Sequence, residues 1–332
     1  MIEVSIICPT FNEERFIESC IQSILHQDLP TTNWELLIVD GESTDKTREL
    51  VRGYLEQYSN IRLLDNPHRT APYAMNIGIK SARGEYVVRI DAHVGYPLNY
   101  ISTLVNYLHR YPEVKNVGCA CITEPRSNTK KAKAIAEVLA NRFGVGGSQF
   151  RLGVTKVMEV DTVPFGCFRK ADFETFGYYD ERLTRNQDIE LNNRIRQSGG
   201  KILLIPDINC TYYSRDTYSE LIRNNYGNGK WNILTVYYTH NFKSLSLRHF
   251  VPLLFILSII LPLCFIPLWW SIASLAIASL AVYTIMICCI SFRIALTKRL
   301  NFILLCWAFV VLHISYGLGS LLALIQLPFL KR

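Results

Sequence analysis

After residue 249 the chain has no aspartate and no glutamate. All 28 acidic residues come earlier, and of the 35 lysines and arginines only Arg293, Lys298, Arg299, Lys331 and Arg332 lie in that tail. The formal net charge of +7 is therefore mostly the tail's, and the first 249 residues are nearly balanced. A nucleic-acid-binding domain concentrates its basic residues on the folded part, so no nucleic acid is expected as a partner. Neither GxGxxG nor GxxxxGK[ST] occurs, which argues against a dinucleotide oxidoreductase and a P-loop ATPase. The ten cysteines form no CxxC pair, and the reading is reduced, packed thiols with neither disulfides nor zinc. "MIEVSIICPTFNEE" has no basic stretch leading into a long apolar one, so no signal peptide is expected.

Charge is absent altogether from residue 250 to residue 292. As helix that run would measure about 64 Å at ~1.5 Å per residue, against about 30 Å for one bilayer core. Two crossings are expected, broken near Pro267, Trp269 and Trp270, with a further uncharged run from 300 to 330. The expected helices are 250–268, 271–291 and 301–327, about three in all, within a transmembrane region 250–330. "FRIALTKRLN" reads as a positive loop between them, and positive loops stay cytoplasmic, which puts the preceding domain in the cytoplasm. Residues 216–249, rich in Tyr, Trp and Lys, read as an interfacial amphipathic segment.

The first part of the chain alternates strand and helix. "VSIICPTFN" is a buried strand ending in a turn, and "EERFIESCIQSILHQ" has helical spacing. "WELLIVD", "IRLLDNP" and "EYVVRIDAH" are further strands, separated by the helices "TRELVRGYLEQY" and "YAMNIGIKSARG". Such alternation builds a mostly parallel sheet flanked by helices, an α/β Rossmann-like fold, over residues 1–215. Residues 120–155, basic and glycine-containing, read as loop or short helices, and "DIELNNRIRQSGG" as a helix followed by the strand "KILLIPD".

Ligands of parallel sheets bind beyond the carboxyl ends of the strands. Asn12 and Glu13 follow the first strand, Asp40 ends the second, and Asp91 and His93 end the fourth. Residues two apart in an extended chain face the same way, so Asp91 and His93 would face one spot. Turn chemistry alone also places Asp and His where strands stop. An acidic edge suits a metal-bridged diphosphate better than a bare one. Asp188 falls in a helix's first turn, where an acid stabilises the helix by ~0.3–1 kcal/mol whatever else it does.

Together "SIICPTFNEE", "ELLIVDGESTDKT", "MNIGIKSARGEYVVRIDAH", "GYYDERLTRNQDIELNNRIRQSGGKI" and "YGNGKW" resemble glycosyltransferase family 2 over roughly residues 3–235. The tail, "DAH" and "NQD" are similar to membrane-anchored glucosyltransferases of succinoglycan-type exopolysaccharide synthesis. The resemblance implies a GT-A fold and inverting transfer of a hexose, glucose first, from UDP-glucose or another UDP-hexose. It implies that Pro9, Thr10, Phe11 and Glu13 line the nucleotide pocket, with Asp40 at the uracil or its neighbourhood. Asp91 and His93 occupy the position that binds the divalent ion, Mn2+ or Mg2+. Asp188 matches the general base, and Gly229, Lys230 and Trp231 fall where relatives close over the diphosphate. Two departures stand out: His93 replaces a usual second Asp, and Gln187 precedes Asp188 where Glu is common. The QxxRW motif of processive synthases is missing. The expectation is one sugar added per encounter to a polyprenyl-diphosphate-linked saccharide, by a multi-pass protein of the bacterial inner membrane in contact with its lipids. Direct loading of a polyprenyl phosphate and a non-catalytic membrane scaffold with a GT-A shell are the alternatives.

Overall fold

The computed structural model describes residues 2–242, 245–265 and 270–330. In chain order the first elements are β1 (Val4–Thr10), α1 (Ile17–Leu25), β2 (Trp34–Asp40), α2 (Thr47–Leu55), β3 (Ile61–Asp65), α3 (Ala71–Ser81) and β4 (Tyr86–Arg89). Then come β5 (Val94–Gly95), α4 (Tyr100–Arg110), β6 (Val114–Pro125), α5 (Lys130–Leu139), α6 (Arg142–Val145) and α7 (Gln149–Leu152). They are followed by β7 (Met158–Glu159), β8 (Cys167–Arg169), α8 (Asp172–Phe176), α9 (Gln187–Gln197) and β9 (Lys201–Ser214). Four helices complete the chain: α10 (Tyr218–Thr239), α11 (Val251–Cys264), α12 (Ala273–Lys298) and α13 (Phe302–Gln326). The chain divides into two compact units, Met1–Ile122 with Gln149–Tyr212, and Thr123–Ser148 with Tyr213–Arg332.

The first unit is built on a mixed nine-stranded sheet in the order β3-β2-β1-β4-β8-β6-β9-β5, with β7 also on β9. β1 pairs in parallel with β2 and β4, and β2 with β3, as the strand–helix alternation implies. The remaining recorded pairings, β4 with β8, β6 with β8, and β9 with β5 and β7, are antiparallel. Parallel pairing needs a long crossover. β5 and β8 are short strands that no regular helix alternation announces, and they join the sheet the other way round.

The apolar runs of β1 and β2 are buried on both faces because helices cover both. Ile6, Cys8, Leu36, Ile38 and Val88 pack with α1 and α4 residues such as Ile21 and Leu104. The alternate residues Ile7, Leu37, Val39 and Val87 pack with Met75 and Ile79 of α3 and Leu191 and Ile195 of α9. α3 begins after Thr70 with Pro72 in its first turn, where the missing N–H costs nothing. It approaches β1 so closely that a Cβ at Gly78 would stand 2.5 Å from Ile7 Cγ2.

In the segment 120–155, α6 and α7 are the short helices expected, but its first part differs. Strand β6 continues to Pro125, and α5 is a regular ten-residue helix capped by Thr129 Oγ1, which accepts from the Ala132 N–H at 3.1 Å.

The second unit is helical. α12 and the segment Phe302–Phe329 are long and apolar enough to cross a membrane, with mean hydropathies of 2.3 and 2.0, whereas the apolar α11 is shorter. The stretch expected as a positive loop is helix: α12 runs on through Arg293 to Lys298, and only residues 299–301 connect it to α13. Lys298 pairs there with Glu137 of α5 at 2.6 Å, so its charge is matched without a loop. The expected break at Pro267 and Trp269, the side chain of Trp270, and the terminal Lys331 and Arg332 lie outside the described residues.

The contact at Gly78 is testable. Gly78→Ala adds a methyl group where Ile7 is wholly buried, and overpacking of this kind costs about 1–3 kcal/mol. A lowered thermal unfolding midpoint of the purified protein is the expected result.

Candidate active site

The register sets Thr10 opposite Asp40 and Ile7 opposite Arg89, which brings the carboxyl ends of β1, β2 and β4 to one edge. The loops leaving β1 and β2 are stitched together by side chains. The Asn12 N–H donates to Ser43 Oγ and its Oδ1 accepts from the Thr44 N–H, each at 2.8 Å. The Glu13 N–H donates to Thr47 Oγ1 at 2.8 Å, and the Lys46 N–H to Glu14 Oε2 at 3.2 Å.

Asp40 is wholly buried beneath these loops. Its Oδ1 accepts from Ser43 Oγ at 2.5 Å, and its Oδ2 from the Ser43 N–H at 3.0 Å and Arg48 Nη1 at 2.8 Å. Arg48 also reaches Asp65 at 2.7 Å, and these two carboxylates, Asp65 first, raise its pKa. Asp40 thus builds the loop wall. Pro9 is half-buried on β1, and Thr10 is buried with its hydroxyl donating to the Cys8 carbonyl at 3.0 Å. Phe11 is 45% exposed, an aromatic face left open at the edge.

At the end of β4 the centre is Arg89, 7% exposed. Its Nη1 donates to both oxygens of Asp188, at 2.5 and 2.6 Å, and its Nε and Nη2 donate to Asp91 Oδ1, both at 3.2 Å. The Arg89 side chain therefore joins β4, the segment after it and the first turn of α9. Burial opposes its charge, but Asp188 and Asp91 more than offset that and hold its pKa well above the usual value. Burial raises the Asp188 pKa above the ordinary carboxylate value, against the lowering effect of Arg89. Tyr179, nearly fully buried, also bonds to Asp188, and burial pushes its hydroxyl up.

Regular strand structure ends at Arg89, and Ala92 and His93 lie in a turn, so the strand alternation does not extend to His93. The turn is held by the Asp91 N–H donating to Tyr96 Oη at 2.7 Å. His93 Nδ1 meets Glu13 Oε1 at 3.0 Å, joining the ends of β1 and β4. Burial would lower the His93 pKa, but Glu13 and Asp91 raise it to about 9. The rings of Phe16 and Tyr212 stand edge-on to it at 6.3 and 6.2 Å. Among the described residues no group of three or more His, Cys, Asp or Glu is placed to hold a metal ion.

The structure thus brings Asp91 to Asp188, and His93 to Glu13. Lys230 and Trp231 belong to α10 of the second unit. Sequence reasoning quoted Arg89 without giving it a role. The available signal was a lone cation in an otherwise apolar strand, two residues before an acid and therefore on the same side. Tyr179 and the pairing of Glu13 with His93 carried no local signal.

The sheet is that of a GT-A fold, and residues 5–172 match the family described as Glycosyl transferase family 2. The chain belongs to that family and is a glycosyltransferase. It is 32% identical over 268 residues to the dolichyl N-acetyl-alpha-D-glucosaminyl phosphate 3-beta-D-2,3-diacetamido-2,3-dideoxy-beta-D-glucuronosyltransferase of Methanococcus voltae, covering 78% of this chain and 81% of that one. It is 32% identical over 227 residues to the succinoglycan biosynthesis protein ExoA of Rhizobium meliloti, covering 68% of this chain and 67% of that protein. Among solved structures it is similar to the mannosyltransferase PcManGT of Pyrobaculum calidifontis, in complex with GDP-Man and Mn2+. That likeness has a TM-score of 0.59 at 21% identity over 96% of this chain and 87% of the other, and it shows the fold.

Replacing Arg89 by leucine would leave Asp188 and Asp91 facing each other without their cation. Breaking a buried pair by removing one partner costs about 3–5 kcal/mol, expected as a fall in unfolding midpoint. Arg89→Lys keeps the charge but loses the fork, and should keep more stability than Arg89→Leu in the same measurement.

Proposed function

We propose that the chain is a membrane-bound inverting glycosyltransferase that moves a hexose, glucose first, from a UDP-sugar to a polyprenyl-diphosphate-linked saccharide during synthesis of a bacterial surface polysaccharide. The observation that carries this reading is the Arg89 fork, which holds Asp188 and Asp91 at one sheet edge. The relatives, one named for action on a dolichyl-linked sugar phosphate and one for succinoglycan biosynthesis, support a lipid-linked or polysaccharide acceptor.

Asp188 is assigned as the general base. It accepts the proton of the acceptor hydroxyl as that oxygen attacks the anomeric carbon in line, while the bond to the nucleoside diphosphate breaks on the opposite face. One displacement inverts the configuration and needs no covalent nucleophile. Burial makes Asp188 more basic than an exposed carboxylate, and 29% of its side chain remains open to a substrate. Phe11, with Pro9, Thr10 and Glu13, is assigned to the nucleotide pocket, and Asp40 acts there through the Ser43–Arg48 wall it anchors. Lys230 is assigned to the leaving diphosphate and Trp231 to its cover.

Asp91 and His93 are assigned to a divalent cation, Mn2+ or Mg2+. The residues present fit such an ion. Both Arg89 contacts go to Asp91 Oδ1, so Oδ2 carries neither of them. His93 meets Glu13 through Nδ1, the carboxylate–histidine arrangement that leaves Nε2 as the metal donor. Two protein donors suffice where substrate phosphates and waters complete the shell. When bound, the ion would offset charge developing on the diphosphate. With His93 raised to about 9, its ligation releases a proton.

The membrane assignment rests on the apolarity of α12 and Phe302–Phe329 and on the tail's lack of acid. The proposed topology sets the 299–301 turn, flanked by Arg293, Lys298 and Arg299, on the cytoplasmic side of the inner membrane together with the catalytic unit, which requires the apolar α11 to cross the bilayer ahead of α12.

A panel of UDP- and GDP-sugars with the purified full chain tests the reaction, offering polyprenyl-diphosphate saccharide and polyprenyl phosphate as competing acceptors. Asp188→Asn should lower turnover by about 10²–10⁴-fold with nucleotide-sugar binding little changed; undiminished turnover sinks the base assignment. A base works only when ionised. Because burial raises the Asp188 pKa, turnover should fall on acidification at a higher pH than an exposed aspartate would give. Chelation with EDTA should abolish turnover, and added Mn2+ or Mg2+ should restore it. Turnover indifferent to EDTA would remove the metal role of Asp91 and His93.

A further inference from the structure

Arg89 grips Asp188 from one centre: its Nη1 alone reaches both carboxylate oxygens, at 2.5 and 2.6 Å. A carboxylate held that way keeps one freedom, rotation about the line from Nη1 to its carboxyl carbon. A second donor bonded to either oxygen lies off that line and removes the freedom. The Tyr179 hydroxyl is that donor. It also accepts from Arg89, so the three side chains close a ring of contacts, with Tyr179 only 3% exposed.

Tyr179 belongs to no helix or strand and lies in the connection between α8 and α9. Buried irregular backbone has to find its partners among side chains. Asn76 of α3, itself buried, supplies them. Its Oδ1 accepts from the Tyr179 N–H at 3.0 Å, and its Nδ2 donates to the Tyr179 carbonyl and to Glu181 Oε1, each at 2.9 Å. The side-chain amide thus pairs with Tyr179 as a neighbouring strand's peptide group would. On the other side Arg194 of α9 donates through Nη2 to the Tyr178 carbonyl at 2.6 Å and through Nη1 to the Phe176 carbonyl. The connection is therefore fastened to α3 and to α9 where it presents Tyr179. Packing explains Asn76, Arg194 and the Tyr179 ring. It leaves the hydroxyl over, because a phenylalanine ring would fill the same space with no polar group to satisfy.

We propose that Tyr179 and Asn76 are positioning residues for the base: Asn76 fixes the backbone of Tyr179, and the Tyr179 hydroxyl fixes the rotation of the Asp188 carboxylate about its Arg89 contact. The inference rests on the assignment of Asp188 as base in the functional reading above and adds the groups that aim it. A base misplaced by a small rotation loses rate without losing its charge, so the cost falls on turnover rather than on donor binding.

The test measures turnover by the full chain of the nucleotide sugar that the panel above selects, UDP-glucose first, with an undecaprenyl-diphosphate-linked saccharide as acceptor. The proteins are wild type, Tyr179→Phe, Asn76→Asp, Asp188→Asn and the pairs Tyr179→Phe/Asp188→Asn and Tyr179→Phe/Asn76→Asp. Tyr179→Phe keeps the ring, and Asn76→Asp keeps the acceptor for the Tyr179 N–H but has no donor for its carbonyl. Each should lower kcat about tenfold while the KM for the donor stays within about twofold. Because both act through Asp188, Tyr179→Phe should cost nothing further in the Asp188→Asn protein, and Asn76→Asp little further in the Tyr179→Phe protein. A kcat for Tyr179→Phe within about twofold of wild type, or losses that multiply in the paired proteins, overturns the proposal. So does a Tyr179→Phe protein with a lowered unfolding midpoint but an unchanged kcat, for the hydroxyl would then be structural alone. If Asp188→Asn lowers turnover and Tyr179→Phe does not, this inference falls and the base assignment stands. Undiminished turnover by Asp188→Asn defeats the base assignment and this inference with it, and a wild type that turns over none of the panel's donors defeats the transferase reading and both.

Discussion

A buried cation between two carboxylates governs the catalytic unit. Arg89 stands inside β4, where every other residue is apolar or aromatic, and taking its charge out of water is expensive. Asp188 and Asp91 offset that cost, and in doing so Arg89 and Asp188 become mutually dependent across 99 residues of chain. Apolar residues of similar volume in place of all three charged groups together would serve stability at least as well, since buried ion pairs seldom gain more than they lose. What the pair supplies is geometry. Without Arg89 two facing carboxylates would drive one of them to hold a proton, and a protonated Asp188 is no base. With it, burial can raise the pKa of Asp188 while the group stays ionisable and partly open.

The side of the edge proposed for the nucleotide is organised on a different principle. Phosphate-binding α/β proteins commonly expose backbone N–H groups through glycine-rich loops. Here the two loops are tied by short polar side chains, Asn12, Ser43, Thr47 and Glu14, and anchored from below by the wholly buried Asp40. The missing glycine motif and the acidic edge are two sides of one design. Backbone donors are spent on side chains of the neighbouring loop, which would leave charge neutralisation at the proposed diphosphate to other groups.

Much of this was legible in the sequence because its signals are local. The parallel strands read as apolar runs, α3 read as a helix from Tyr73 onward, and Asp188 sat where a helix had to begin. The illegible parts depend on distant partners. Arg89 gains its meaning only from Asp188 and Asp91, and Lys298, expected in a loop, is the last residue of α12 and pairs with Glu137 of α5. The antiparallel half escaped for another reason. β5 and β8 are two and three residues long, too short for any periodicity to register. The basic run after Ile122 also masked the true length of β6.

The motif "YGNGKW" shows how a structural and a chemical explanation can be separated within one stretch. Gly229 needs no substrate to account for it: α13 passes so close that a Cβ there would collide with the Tyr316 carbonyl, and the Gly229 carbonyl accepts from Ser320 Oγ at 3.0 Å. That contact fixes the rotation of α10 about its axis. At about 100° per residue, Lys230 and Trp231 are then turned off the face that α13 covers. Both are only half-buried, whereas Asn232 to Thr235 are buried. The glycine is thus explained by helix packing, and the lysine and tryptophan that it orients are the part of the motif left for chemistry to explain.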